Sequence, residues 1–471
     1  MKKSLNKANT FAALPFEWPE SLLPTIQQQL KANQQKLVVL DDDPTGTQTV
    51  YDIPVLTEWS IETLQAEFLN TASNTFYILT NSRSVPSAEA QALNRDIGQN
   101  LIMAAQQAKK EFAVVSRSDS TLRGHFPEEV DALVDALAQP IDAWLIIPYF
   151  LEGGRYTLND VHYVAEGEAL VPAAETPFAQ DAAFGYQASN LRQWVAEKTA
   201  NRFPAETVAS ISIEDIRQGG PARVARNLMD LGHGSICVIN AVGPRDMEVF
   251  VQGLLEAEAQ GKRFLYRTAA SFVQTRAGLA PRPLLEAKDI NLSQEGGGLI
   301  VVGSYVPKTT TQVEALLASD KTTPFEIDVE ALLDKTRRLG EINRIVTDAT
   351  EALTRNEDVT LYTSRKLISS DDAAQSLMIG QTISDGLISI IQQISTQPRY
   401  LIAKGGITSS DVATKGLNVR RAMVRGQILP GIPLWELGPE SRYPGIPYIV
   451  FPGNVGDSDA LIQVVNKLGS S

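Results

Sequence analysis

The stretch Lys36-Leu37-Val38-Val39-Leu40-Asp41-Asp42-Asp43-Pro44-Thr45-Gly46-Thr47-Gln48 decides the fold. Its apolar run Leu37–Leu40 reads as a short strand buried on both faces, as in a parallel sheet. Acids come at once at 41, 42 and 43, then Pro, Thr and Gly. In an open parallel sheet, ligands sit at the carboxyl ends of the strands. Adjacent acids there repel one another, so a metal, arginines or a proton-donating substrate must offset the cost.

Outward from this strand the same grammar repeats. Apolar strands are predicted at 37–40, 76–80, 112–115 and 144–147, with further ones at 236–239 and 264–266. A helix falls between the second and third, where Leu93, Ile97, Leu101 and Ala105 recur behind the start signals Pro86 and Ser87. Strand–helix–strand order implies a parallel sheet with right-handed crossovers. Residues 150–200 read as irregular, rich in Gly, Pro and aromatics. A boundary is expected within 285–298, where a polar, aperiodic segment ends in Gly296-Gly297-Gly298. The alternation then restarts. Strands are predicted at 299–302, 325–329, 359–363, 400–403 and 448–451. Helices are predicted from about 308, over 371–395 and from 457. The expected fold class is α/β: two α/β domains with mainly parallel sheets and a ligand cleft between them.

Composition narrows the function. The chain has 471 residues and a net charge of −13, which argues against nonspecific nucleic-acid binding while leaving room for local arginine clusters. Cys237, the single cysteine, excludes an intramolecular disulfide and reads as a buried strand residue. No apolar run approaches the roughly 18 residues of a membrane span. The start Met1-Lys2-Lys3 is basic, but the apolar patch Phe11-Ala12-Ala13-Leu14-Pro15 is too short and broken for a signal peptide. A cytoplasmic protein is expected.

In the first half, successive predicted strands end in polar clusters. They are Asp41-Asp42-Asp43, then Asn81-Ser82-Arg83-Ser84, then Ser116-Arg117-Ser118-Asp119-Ser120-Thr121-Leu122-Arg123-Gly124. Neighbouring strands would gather them into one pocket. Arginine forks hold carboxylates or phosphates, and carboxylates accept from sugar hydroxyls or take their protons. The pocket suits a small polyhydroxylated acid. The competing reading is structural pairing of Arg83, Arg117 and Arg123 with the acids. Pro148-Tyr149-Phe150 and Gly153-Gly154-Arg155 would wall the same pocket. His125 and His162 read as structural. In the second half, Gly303-Ser304, Lys404-Gly405-Gly406-Ile407-Thr408 and Gly453-Asn454-Val455-Gly456 follow strands and precede helices. Glycine admits close backbone approach, and a helix start offers N–H groups to an anion, so these loops suit nucleotide phosphates. Neither a Walker loop nor a GxGxxG fingerprint is present. Asp457 and Asp459 favour the last helix's N-terminus, with a Mg²⁺ role as the alternative.

These residues resemble a known family. Asp42-Asp43-Pro44-Thr45-Gly46 is similar to the Asp-Asp-x-Thr-Gly signature of the four-carbon acid sugar kinases, long a domain of unknown function. The family phosphorylates threonate, erythronate or 3-oxo-tetronate. The likeness continues through Ser82-Arg83, Asp119-Ser120-Thr121-Leu122-Arg123-Gly124 and Gly154-Arg155 into the second-half loops. Residues 1–35, with Pro15, Pro19, Pro24 and a Gln-rich patch, read as a peripheral N-terminal extension; the resemblance implies an acid-sugar-binding domain at 36–290 and a nucleotide-binding domain at 291–471. It implies an ATP- and Mg²⁺-dependent kinase acting on the terminal hydroxyl. Asp42 and Asp43 would be the catalytic residues. Asp43, Arg83, Arg117, Ser118, Asp119, Ser120, Arg123 and Arg155 would bind the acid. Ser304, Lys404, Gly405, Gly406, Ile407, Thr408, Gly453, Asn454 and Gly456 would bind the nucleotide. Many members carry Gly-Gly-Glu-Thr or Gly-Gly-Asp-Thr where this chain has Gly406-Ile407-Thr408, and Asp41 is an added acid. The partners are a sugar acid and ATP, with homo-oligomerisation left open. Two other classes fit the two-domain plan: a nucleotide-dependent oxidoreductase and a non-catalytic sugar-acid sensor.

Overall fold

The computed structural model describes residues 4–365 and 373–469. The basic start at residues 1–3 and the first two positions of the predicted helix 371–395 lie outside the described residues. The chain divides into two compact units, Met1–Pro281 and Arg282–Ser471.

In the first unit the strands are β1 (Lys36–Asp41), β2 (Ile53–Leu56), β3 (Thr75–Leu79), β4 (Phe112–Arg117), β5 (Ala143–Ile147), β6 (Ala209–Ile211), β7 (Ser235–Ile239) and β8 (Phe264–Thr268). They lie in the order β6-β7-β5-β8-β4-β1-β3-β2, and every pairing is parallel. Every residue of β1 is buried, its apolar run Leu37–Leu40 along with the flanking Lys36 and Asp41. Helix α1 (Ser87–Ala108) buries Ile97, Leu101 and Ala105 against the sheet, and α2 (Glu128–Leu137) packs beside it. The registers place Asp41 opposite Arg117, and Arg117 opposite Thr268. The carboxyl ends of β1, β4 and β8 are therefore flush.

The stretch read as irregular holds an antiparallel sheet instead. Arg155–Leu158, Val161–Glu166 and Ala169–Pro172 pair in series, and Leu5–Asn6 adds to the last. Helix α3 (Leu191–Lys198) follows. The leading residues also pack within this unit, with Ile26 and Leu30 buried.

In the second unit the strands are β9 (Leu299–Val302), β10 (Thr323–Ile327), β11 (Val359–Thr363), β12 (Leu401–Lys404), β13 (Arg421–Leu429), β14 (Ile432–Leu437) and β15 (Pro447–Phe451). Their order is β13-β14-β15-β12-β9-β11-β10. The pairings from β15 to β10 are parallel; β13 and β14 are antiparallel additions. Helices α4 (Pro307–Leu317), α5 (Ala373–Gln393), α6 (Gly406–Asp411) and α7 (Ala460–Leu468) accompany them. The division falls ahead of the expected 285–298. Leu285 is buried in the second unit's core, and its N–H donates to the Gln427 carbonyl at 2.8 Å.

Candidate functional site

The flush strand ends of the first unit bring the acids and arginines together, but not as equals. Asp41, the last residue of β1, pairs with Arg117 at 3.3 Å, and both are buried. Burial pushes the Asp41 carboxyl up to about 7, against the pull of Arg117. Arg117, expected to bind substrate, thus has its charge engaged by the added acid Asp41.

Asp43 caps the short helix Pro44–Thr47, accepts from the Thr45 N–H at 2.8 Å and from the Thr45 hydroxyl, and pairs closely with Arg83. Burial pushes its carboxyl up, but Arg83 and the Thr45 hydrogen bonds outweigh that and hold it below the usual range. Asp119 pairs with Arg83 at 3.4 Å and with Arg123 at 2.8 Å, and the two guanidiniums outweigh burial to hold it low as well.

Asp42 differs. Only 3% of it is exposed, and neither carboxylate oxygen accepts a hydrogen bond among the described residues. The nearest cation is Arg83 at 4.0 Å. Burial pushes its carboxyl up to about 6, with Arg83 and then Arg267 opposing. Gly124 lies against both Asp42 and Arg267. A Cβ there would stand 2.8 Å from Arg267 Nη2 and 3.1 Å from Asp42 Oδ2, so the gap beside the bare carboxylate depends on that residue having no side chain. Arg267 itself donates to Ser116 Oγ at 2.9 Å and pairs with Glu129 at 3.1 Å. Glu129 also accepts from the Ser82 hydroxyl.

Of Arg83, Arg117, Arg123 and Arg155, the last is the one without an ion pair among the described residues. It stands at the start of the strand Arg155–Leu158, half-buried, with its guanidinium 5.6 Å from the centre of the Phe178 ring, which Arg123 also faces at 5.2 Å. No carboxylate pairs with it among the described residues, its Nε is buried without a partner, and burial pulls its pKa down. Ser118 and Ser120 are buried within the same turn. His162 is structural, as expected: its ring nitrogens meet the Ser120 carbonyl at 2.8 Å and Thr157 Oγ1 at 3.0 Å, and burial lowers its pKa to about 4.

In the second unit the glycine loops converge. Thr309 on α4 donates to the Gly453 carbonyl at 3.1 Å and lies 3.3 Å from Ser304 Oγ. Gln312, one turn on, donates to the carbonyls of Val455 and Asp457, which fixes the 453–457 loop to α4. Gly405 takes φ +119°, and a Cβ there would come within 2.9 Å of Ser304 Cβ. Thr408 Oγ1 lies against the same two glycines, Gly303 and Gly405. Gly406 opens α6, Ile407 is 62% exposed on it, and Asn454 is exposed while Gly456 has φ +85°.

Lys404, expected at the phosphates, is fully buried. Its ammonium donates to the Pro452 carbonyl at 2.7 Å and the Gly453 carbonyl at 3.3 Å, over the Phe451 ring. It shapes the loop from beneath rather than facing it. Lys404→Met is expected to cost about 1–3 kcal/mol in chemical denaturation, because the buried Pro452 carbonyl loses its donor while the Gly453 carbonyl keeps Thr309. An unchanged midpoint would show that the loop does not depend on it.

The sequence reading missed Arg267, Glu129, Thr268 and Trp194. Arg267 and Thr268 follow the apolar run Phe264-Leu265-Tyr266, and the rule that found the other strand ends reaches them. Glu129 and Trp194 sit inside helices and carry no such signal.

Comparison with known proteins matches the two parts of the chain to two domain families. Residues 37–276 match the family described as the sugar-binding N-terminal domain, and residues 299–461 match the nucleotide-binding C-terminal domain. The D-erythronate kinase of Heliobacterium modesticaldum is 24% identical over 413 residues, covering 83% of this chain and 86% of that one. The 3-oxo-isoapionate kinase of Paraburkholderia graminis is 26% identical over 222 residues, 44% of this chain and 45% of that one. Among solved structures, a Salmonella typhimurium LT2 protein provisionally described as a tRNA synthase superposes with a TM-score of 0.67 at 16% identity. It covers 93% of this chain and 100% of that one. A Haemophilus influenzae protein from a domain family of unknown function gives 0.62 at 19% identity, covering 92% and 100%. At these identities the structural likenesses concern the fold.

Proposed function

This chain belongs to the four-carbon acid sugar kinase family, and from that premise we propose that it transfers the γ-phosphoryl group of ATP to the terminal hydroxyl of a four-carbon sugar acid. The observation that carries the reading is Asp42, a buried carboxylate with no hydrogen-bond donor among the described residues, which is costly unless a ligand supplies one. In the proposed reaction Arg155 holds the substrate carboxylate in its guanidinium fork. Asp42 accepts the proton of the terminal hydroxyl as that oxygen bonds to the γ-phosphorus. The bond from phosphorus to the bridging oxygen breaks, and ADP departs. Asp43 and Asp119 stay ionised, hold Arg83, and keep it beside Asp42. Ser304, Gly406 through Thr408, and Gly453 through Gly456 offer backbone N–H groups to the phosphates, while Gly405, whose own N–H donates to the Phe451 carbonyl at 2.8 Å, admits their close approach. D-erythronate kinase activity in a relative supports a tetronate as the substrate class.

Mg²⁺ bound with the nucleotide would neutralise phosphate charge. Such an ion takes one or two carboxylates beside the phosphate oxygens. The loop offers two exposed acids, Asp457 and Asp459, of which Asp457 also accepts the Asp459 N–H at 3.1 Å. No group of three or more metal-ligating side chains occurs among the described residues, and no helix among them is long and apolar enough to cross a membrane.

The direct test is ADP release over a panel of tetronates, 3-oxo-tetronates and 4-hydroxythreonine. Stimulation by at least one acid is expected; none would refute the reading. The pH profile is a second test. Below about 6 the proton already sits on Asp42 and blocks further acceptance, so kcat/KM is expected to climb tenfold per pH unit up to about 6 and then level. A profile flat between pH 5 and 7 would remove Asp42 from the role.

A further inference from the structure

Between the ends of β4, β5 and β8 lies a small void of about 10 Å³, the room of one water or one substrate oxygen. Its apolar floor is Leu122, Ile146 and Pro148, and its polar lining includes Arg267, Thr268 and Trp194. The register explains the position: Thr268 is the last residue of β8, set between Arg117 of β4 and Ile147 of β5, with its carbonyl accepting the Ser118 N–H at 2.8 Å.

The lining is unusual for what it leaves unpaired. The Thr268 hydroxyl and the Trp194 indole N–H are both buried with no hydrogen-bond partner among the described residues. An indole N–H can only donate. The Trp194 ring cannot easily turn to find an acceptor elsewhere, since it stacks on Phe126 at 4.7 Å with 20° between planes. Arg267 is electrically matched by Glu129, so the void is donor-rich without being strongly cationic. Asp119, also at its edge, has its carboxylate engaged by Arg83, Arg123 and Thr121. A carboxylate of the substrate is too large for the space and finds its countercharge at Arg155. A single oxygen that accepts hydrogen bonds fits both the size and the donors.

We propose that this void is a subsite for one carbon-chain oxygen of the substrate, a hydroxyl or carbonyl that accepts hydrogen bonds from Trp194, Thr268 and Arg267. The proposal rests on the sugar acid kinase reading and adds to it a specificity determinant. A sugar acid bearing that oxygen satisfies two buried donors at once; a deoxy analogue leaves them bare, which is where hydrogen-bonding sites discriminate most.

The experiment is calorimetric titration, without nucleotide, of the tetronates and their 2-deoxy and 3-deoxy counterparts into three proteins: the natural chain, Trp194→Phe and Thr268→Val. Phe keeps the stacking on Phe126 and removes the N–H; Val keeps the shape and removes the hydroxyl. The natural chain is expected to prefer a parent acid over one deoxy analogue by about tenfold or more. That ratio is expected to shrink at least threefold in each variant. Loss of packing alone would weaken parent and analogue together and leave the ratio unmoved. An unchanged ratio in both variants, no discrimination by the natural chain, or no binding of any acid would overturn the subsite. Turnover with an unchanged ratio would refute the subsite and spare the kinase reading. A shrinking ratio without ADP release would do the reverse.

Discussion

Asp42→Asn is expected to lower kcat/KM for the sugar acid by about 10²–10⁴-fold, the usual worth of a positioned general base, while making the folded protein more stable. The two effects share one cause. The Asp42 carboxyl is pushed up to about 6 because it is buried and accepts no hydrogen bond. An acid whose folded pKa exceeds its unfolded value opposes folding as pH rises between the two. The penalty is absent below about pH 4 and full above about pH 6. At pH 7 a shift of that size corresponds to about 3 kcal/mol, which sets the ceiling on what Asn can recover. Urea denaturation at pH 7 and pH 4 reads the difference. The stabilisation is expected at the first pH and not at the second. Asp43→Asn is the control with the opposite sign. Asp43 is held below the usual range by Arg83 and Thr45, so its loss is expected to destabilise the protein at pH 7, and the deficit fades only as the pH falls below the ordinary carboxylate value and through the lowered folded one. If Asp42→Asn keeps full activity, the proton goes elsewhere; if it destabilises the protein, the carboxylate has a structural partner.

The contrast between these neighbours marks where sequence stops being legible. Apolar runs show where parallel strands lie, because a strand covered on both faces has no choice of residue type. Lys36–Asp41, Phe112–Arg117 and Leu299–Val302 were visible for that reason. Arg421–Leu429 escaped notice because it buries only alternate residues, so Arg421, Arg425 and Gln427 interrupt the apolar signal, and Ile53–Leu56, buried throughout, escaped because it is short and broken by Pro54. The same logic holds at the site. That acids and arginines gather at the strand ends is a consequence of topology. Which acid meets which arginine depends on register and on side-chain reach, and no spacing rule carries that. Asp41 takes Arg117, Asp43 takes Arg83, Asp119 takes Arg123, and Asp42 is left without a close partner. Lys404 teaches the same lesson in the second unit. A lysine beside two glycines suggests a phosphate ligand, yet a side chain on the inner face of a buried strand can only reach its neighbour's carbonyls.

Removing the guanidinium of Arg155 is expected to raise KM for the sugar acid by about 10²-fold in Arg155→Met, with a smaller change in kcat. A charge-assisted, two-pronged contact is worth about 1.5–3 kcal/mol, and the carboxylate is far from the hydroxyl that reacts, so its grip is present before and during transfer alike. Arg155→Lys should recover little, because a point charge cannot reproduce the fork or the face-on contact with Phe178. Stability should barely move, since no carboxylate forms an ion pair with Arg155 among the described residues and its burial already disfavours its charge. Arg117→Met makes the opposite pattern. It strands Asp41, a buried acid whose ion-pair partner is Arg117, and breaking such a pair from one side costs about 3–5 kcal/mol. The two arginines are separated by pairing the kinetics with denaturation. If Arg155→Met unfolds early and Arg117→Met raises KM in a well-folded protein, the anchor is Arg117 and the assignment from pairing is wrong. A substrate amide sharpens the distinction: replacing the carboxylate should cost the natural enzyme about as much as the mutation does, and cost Arg155→Met almost nothing further, because the contact is already gone.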